Sequence, residues 1–172
     1  TGDWAFYLEG DEVVHENDLP KIRAAMEKHL GDERVEALAF DYLHFYGNQN
    51  TIAWSPAWYR SEVRVIRNTI PAWAPKGLFF TVLETQKRAR YPRAAHTGAT
   101  IFHYGWVRGE SQMDLKVSAT HKFWDNQPLP AADYSQIDAE SLKLFSGTHP
   151  KVMSGWLPKA GGIFQADPNY PL

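Results

Sequence analysis

The chain has 172 residues, 44% of them hydrophobic, and a formal net charge of −2; that supports a core in one domain and gives no overall pull toward nucleic acid or an anionic membrane. It has no cysteine, which excludes disulfides, thiolate zinc sites and a cysteine nucleophile and fits a cytoplasmic location. No signal peptide is visible at Thr1–Glu9, and no apolar run approaches the ~20 residues of a membrane span.

In chain order, Trp4 to Leu8 reads as a strand buried on both faces. It ends in Glu9, Asp11 and Glu12, three acids in four positions. Such a cluster repels itself unless water, a base or a metal compensates. Leu19, Ile22, Met26 and Leu30 recur at helical spacing, so a helix is expected over Leu19–Leu30, with Asn17 or Asp18 as cap and Gly31 as stop. Ala37 to Gly47 reads as a strand, Asn48 to Ser55 as a loop, and Trp58 to Asn68 as a strand that alternates Val63 and Val65 with Arg64 and Ile66. Pro71, Pro75 and Gly77 break the chain before strands at Leu78–Leu83 and Ala99–Tyr104. Helices are expected at Ser111–Trp124 and at Ile137–Phe145, the second capped by Asp138. From Gly147 onward the reading is an irregular wrap. Strands mixed with helices predict an α/β fold with a mixed sheet flanked by helices.

The chemistry-bearing residues are few. Glu9 and Asp11 lie two apart, on one side of an extended chain, with Gly10 between them. Hard oxygen donors at that spacing suit magnesium or manganese, or else form a solvated acidic turn. His103 ends a strand, where imidazole serves as a manganese ligand or as a satisfied core residue. Asp41, an acid inside an apolar strand, needs a partner or a function. Gln86 to Arg93 gathers Lys87, Arg88, Arg90 and Arg93, suited to a diphosphate or lipid phosphate or to solvent. That run is too short, and the chain too acidic, to favour nucleic acid.

Taken in order, FYLEGDEVVHENDLPKI, HFYGN, WYRSEVRVIRN, ATIFHYGWVR and FSGTHPKVM resemble family 2 glycosyltransferases of a bacterial subgroup, from their Asp-any-Asp metal motif to the C-terminus. The resemblance covers most of the chain. It implies the C-terminal part of a GT-A fold, one domain over residues 1–172, with the metal and acceptor side in 1–108 and C-terminal helices and tail in 109–172. It implies inverting transfer from a nucleotide-sugar donor to a saccharide, lipid or other acceptor, with Mn or Mg as cofactor. Glu9, which replaces the usual Asp, and Asp11 take the metal positions with Glu12 just behind, and His103 stands near metal and diphosphate. Arg64, Arg67 and Arg108 are expected to face the cleft as donor- or acceptor-binding residues, or else to be structural ion-pair partners; Trp54 and Trp58 are expected to form an acceptor platform or to pin their loop to the core, and Glu84 to act as base, with Asp41 as the alternative. The strands that hold the nucleotide base in this fold lie upstream of the motif and are expected to be missing, which makes activity of the isolated chain doubtful. The edge left open would favour homo-oligomers. Two other readings are a noncatalytic carbohydrate- or protein-binding module and a metal-dependent hydrolase, although no His-any-His or His-Glu-any-any-His pattern occurs.

Overall fold

The computed structural model describes residues 3–120, 133–134 and 137–157. The strands are β1 (Trp4–Phe6), β2 (Glu12–Val14), β3 (Ala37–Tyr46), β4 (Thr51–Ala53), β5 (Ser61–Arg67), β6 (Ala72–Trp73), β7 (Thr81–Thr85), β8 (Arg88–Arg90), β9 (Ala94–Trp106) and β10 (Leu142–Leu144). Two helices accompany them, α1 (Leu19–Lys28) and α2 (Glu110–Thr120). The chain divides into two compact units, Thr1–Tyr42 with Tyr59–Ile101 and Leu43–Trp58 with Phe102–Leu172. The long strands β3 and β9 run through both.

In the first unit the strand order is β1–β5–β3–β9–β2. The pairs β1–β5 and β5–β3 are antiparallel. Between β3 and β9 the contacts advance together: the Glu36 amide donates to the Arg93 carbonyl, and the Thr97 hydroxyl to the Ala39 carbonyl. That pair is parallel, so the sheet is mixed and the fold is α/β, as expected. Leu38, Phe40, Tyr42, Val65, Ala99 and Ile101 pack with Ile22 and Ala25 of α1.

A bulge decides what β5 presents. Its register to β3 steps from Leu38↔Val65 to Ala39↔Val63, which leaves Arg64 as the extra residue. The side-chain alternation flips there. Val65 joins the Leu38–Phe40 cluster, whereas Val63 and Ile66 join Ala37 in another. Val63 and Val65 therefore do not share a face as the plain period of two predicts, and four consecutive residues, Val63 to Ile66, are buried.

A separate three-stranded sheet, β6–β7–β8, is antiparallel throughout. It places Ala72 against the Ala37–Val63–Ile66 cluster and is pinned by Arg90, whose guanidinium meets the Glu36 carboxylate at 2.7 and 2.8 Å. Arg93 adds a backbone amide and an ion pair to Glu36. Arg67 donates to the carbonyls of His29, Leu30, Asp32 and Val35 and lies 4.3 Å over the Trp4 ring. A cation is favourable there, where helical carbonyls run out of partners at the end of α1.

In the second unit the order is β10–β4–β3–β9, with β4 antiparallel to β3 and to β10. Phe45 and Tyr104 stack at 4.7 Å, and Phe145 and His149 close around Phe45 at 5.0 and 5.1 Å. Tyr46, Met113, Tyr134 and Leu142 form a neighbouring cluster with Trp58 and Trp106 against it.

Several sequence expectations change. The first strand is not buried on both faces: Phe6, Tyr7 and Leu8 are exposed, because β1 is an edge strand with β5 as its one partner in the sheet. The Asn48–Ser55 loop contains β4, and Gln86–Arg93 contains β8. The helix expected at Ile137–Phe145 is a single 3-10 turn at Ala139–Ser141 followed by β10. Asp138 does cap that turn through the Glu140 amide, but the next residues pair with β4 instead of continuing as helix. The helix at Leu19 ends two residues early, with Leu19 and Leu30 exposed. Asp18 does not cap it by its side chain but accepts from the Thr100 amide and pairs with Lys21. The end of the Ser111–Trp124 helix lies outside the described residues.

Glu36 carries a pH dependence. The Arg90 hydrogen bonds outweigh burial and, with the Arg93 contacts, hold its carboxyl at about 2, well below its ordinary 4.5. A lowered carboxyl contributes stability that is complete above its unfolded value and lost as pH falls through the folded one. Urea unfolding followed between pH 6 and about 2 should therefore show wild type losing stability below about 4.5, with a shallower loss in Glu36→Gln.

Candidate functional site

The acid cluster is the end of β1 turning into β2, closed by the Glu12 amide donating to the Glu9 carbonyl. The positive charge that the sequence demands there is Arg64. Its Nε and Nη2 donate to the two oxygens of Glu12 at 2.8 and 2.7 Å, and Nη2 also reaches Glu9 at 3.0 Å. Nη1 donates to the carbonyls of Leu78 and Val63 at 3.0 and 3.4 Å. All five guanidinium hydrogens are thus engaged. Glu12 is saturated as well, because it also accepts from the Tyr42 hydroxyl at 2.8 Å and the Glu9 amide at 3.1 Å. Glu12 lies on β2 and Arg64 on β5, strands separated in the sheet order by β3 and β9, so the sheet curls to bring them together.

Arg64 and Glu12 are both 1% exposed at their side chains. Burial works against the guanidinium charge, but the Glu12 hydrogen bonds and the nearby anionic oxygens raise its affinity for the proton overall. Tyr42 is held protonated far above the ordinary phenol value, by burial first and by the Glu12 carboxylate beside it. Tyr7 and Tyr42 face the guanidinium at 5.8 and 5.4 Å.

Arg64 thus takes the structural ion-pair role of the two expected for it, and Glu12, expected just behind the metal positions, spends its acceptors on Arg64, the Tyr42 hydroxyl and the Glu9 amide. Arg67 is likewise committed to the carbonyls of His29, Leu30, Asp32 and Val35 in the segment that follows α1. Glu9 is half-buried and held through Oε1, and Asp11 sits half-exposed at the turn. Gly10 between them does not have a left-handed φ, and a Cβ there would meet nothing within 4 Å.

Of the two acids considered as base, Glu84 pairs with Arg88 at 2.9 Å and Arg90 at 3.0 Å. Asp41 points to solvent, so the burial that would have required a partner does not arise, and it pairs with His96 at 3.2 Å.

In the second unit His103 faces His44, their Nδ1 atoms 3.0 Å apart. One ring must donate and the other accept, so this contact holds a single proton. His44 is 2% exposed and has Trp58 against it at 5.1 Å. Trp58 also packs on Tyr46 and Trp106, which makes it part of that cluster. Trp54 lies under the Lys143 ammonium at 3.7 Å. The Arg108 carbonyl accepts from the Tyr134 hydroxyl, and its Nε is buried without a hydrogen-bond partner among the described residues. The sequence reading passed over His44 and Tyr42, although both sit at period-two positions of an apolar strand where a polar group needs a partner. It also gave His149 no role; its Nδ1 meets the Tyr104 hydroxyl at 2.8 Å.

Among the described residues no group of three or more His, Asp or Glu side chains converges as a ligand set. No helix there is long and apolar enough to cross a membrane. Compared with family models, curated proteins and solved structures, the chain matches none.

Two substitutions separate the parts of the cluster. Arg64→Met strands a buried carboxylate and should cost about 3–5 kcal/mol in urea unfolding, whereas Arg64→Met with Glu12→Gln recovers much of that loss. Tyr42→Phe should cost about 1–3 kcal/mol by removing one hydrogen bond to a charged acceptor.

Proposed function

We propose that this chain is part of a metal-dependent, inverting glycosyltransferase that takes its sugar from a nucleotide donor, with the turn Glu9–Asp11 as the metal-binding element. The observation that carries the reading is the division of labour in the acid cluster. Arg64 neutralises Glu12 and steadies Glu9, which fixes the backbone of the turn that carries Asp11. A rigid turn bearing one or two carboxylates suits magnesium or manganese, because those ions complete their shell with water and the phosphates of a bound nucleotide. Asp11, with Glu9 in support, would hold the ion, and the ion would offset charge on the departing diphosphate.

The chain's own contribution is positional. Arg64 keeps the turn in one conformation before the nucleotide arrives, so little ordering is left for binding. Its pairing with Glu12 is internal, so the positive charge for the diphosphate is assigned to the ion and not to Arg64. His103, expected from the resemblance of IFHYGWVR to stand near the diphosphate, lies in the second unit, where it faces His44, and is given no part in the metal-binding element. Glu84 is held by Arg88 and Arg90 and Asp41 is paired with His96, so the base that accepts the acceptor's proton is left unassigned. The acceptor class is a saccharide or a lipid-linked sugar, in keeping with the same resemblance.

Calorimetric titration of manganese with GDP and with UDP tests this reading. Nucleotide binding that requires manganese, disappears in Asp11→Asn and weakens on the order of tenfold in Glu9→Gln is the expected result. Binding of manganese and nucleotide that is indifferent to Asp11 would remove the transferase reading and leave the noncatalytic carbohydrate- or protein-binding module in its place.

A further inference from the structure

The long strands β3 and β9 are paired in the sheet, so residues at matching heights stand side by side. His44 and His103, 59 residues apart in the chain, are brought together in this way. Both lie in the second unit. Their rings are nearly perpendicular, at 82°, and the two Nδ1 atoms approach to 3.0 Å. His44 is buried under Trp58, which Tyr46 and Trp106 hold in turn. The imidazoles are thus positioned in advance, which reduces what a ligand must order. His103 is half-buried, so its side of the pair is open to water.

Two Nδ1 atoms turned toward each other have one proton between them. Without it they are two lone-pair donors at the spacing that a metal ion imposes. An ion bonded to two imidazole nitrogens at about 2.0–2.1 Å holds them roughly 2.9 Å apart when the bonds meet at a right angle, and roughly 3.3–3.4 Å apart in a tetrahedron. The observed 3.0 Å is close to the right-angled case. That is the arrangement of neighbouring ligands in square-planar copper(II), the ion that stands highest among first-row divalent metals in affinity for nitrogen sites. Magnesium and manganese favour carboxylate and water oxygens instead, so the turn Glu9–Asp11 and the histidine pair select different ions. We propose that His44 and His103 bind copper(II) through both Nδ1 atoms, with water in the remaining positions. A small turn of each ring brings both lone pairs onto one point. The proton now between the rings passes to Nε2 of the ring that carries it, so both imidazoles stay neutral and no net proton is released. The site does not depend on the transferase reading.

Electron paramagnetic resonance of the full chain with substoichiometric copper(II) tests the proposal. The expected spectrum carries the hyperfine pattern of two nitrogen ligands. In His103→Gln that pattern is lost, and affinity falls by more than the ~10–100-fold that removal of an outer-shell partner costs. This substitution keeps a hydrogen-bonding group opposite His44, so the circular dichroism spectrum should match that of wild type. His96→Gln, at an exposed histidine outside the pair, should leave the spectrum and the affinity unchanged. A wild-type spectrum with a single nitrogen ligand overturns the proposal whatever the variants do. So does a two-nitrogen spectrum that survives His103→Gln, which would mean an adventitious ion only, held elsewhere among the seven histidines.

Discussion

The structure of the first unit depends on one buried guanidinium. Taking Arg64 out of water carries a desolvation penalty of several kcal/mol, and only near-complete hydrogen bonding offsets it. That demand organises its surroundings. Glu12 must lie opposite with both oxygens, Leu78 must offer a carbonyl, and Tyr42 must fill the remaining site on Glu12. The bulge in β5 is part of the same solution. Without the extra residue, Arg64 would keep the strand's alternation and Val63 would share a face with Val65.

A consequence reaches the turn. Because Glu12 is saturated and Glu9 is tethered, the chain from Glu9 to Glu12 has its ends fixed by internal contacts. A short turn fixed at both ends is a suitable place to present a carboxylate to an ion, since a ligand must otherwise order the loop at its own expense. The proposed chemistry thus rests on a charge pair that itself performs none. Arg64 at the strand end compensates Glu12 within the protein, and the turn that it steadies is where an external cation would go.

Much of the fold was legible because the strong signals were local. Ala37–Tyr46 alternates over ten residues, and the helix from Leu19 has both its apolar period and a proline in its first turn. What failed was decided by partners distant in sequence. Leu142–Leu144 is a strand because β4 offers an edge, and no periodicity in three residues could announce that. The Arg64 bulge is hard to place as well, since VRVIR leaves the period of two only at Ile66 and it is pairing with β3 that makes Arg64 the extra residue. At the site, the sequence locates the acid cluster and its need for compensation by water, a base or a metal, but does not say which of these meets it. The Arg64 contact spans 52 residues, a separation at which spacing carries no information. Asp41 and Glu84 stand out as acids in or near strands, and each has a partner, His96 and Arg90, that the sequence does not align with it.

The central claim is that the turn between β1 and β2 holds a divalent ion through Asp11. Manganese is paramagnetic, so its position can be read directly by amide relaxation in the presence of GDP. The account predicts that substoichiometric manganese broadens the amides of Gly10, Asp11 and Glu12 first, and that Asp11→Asn abolishes the effect. Broadening centred on another segment, or unchanged by Asp11→Asn, would contradict it.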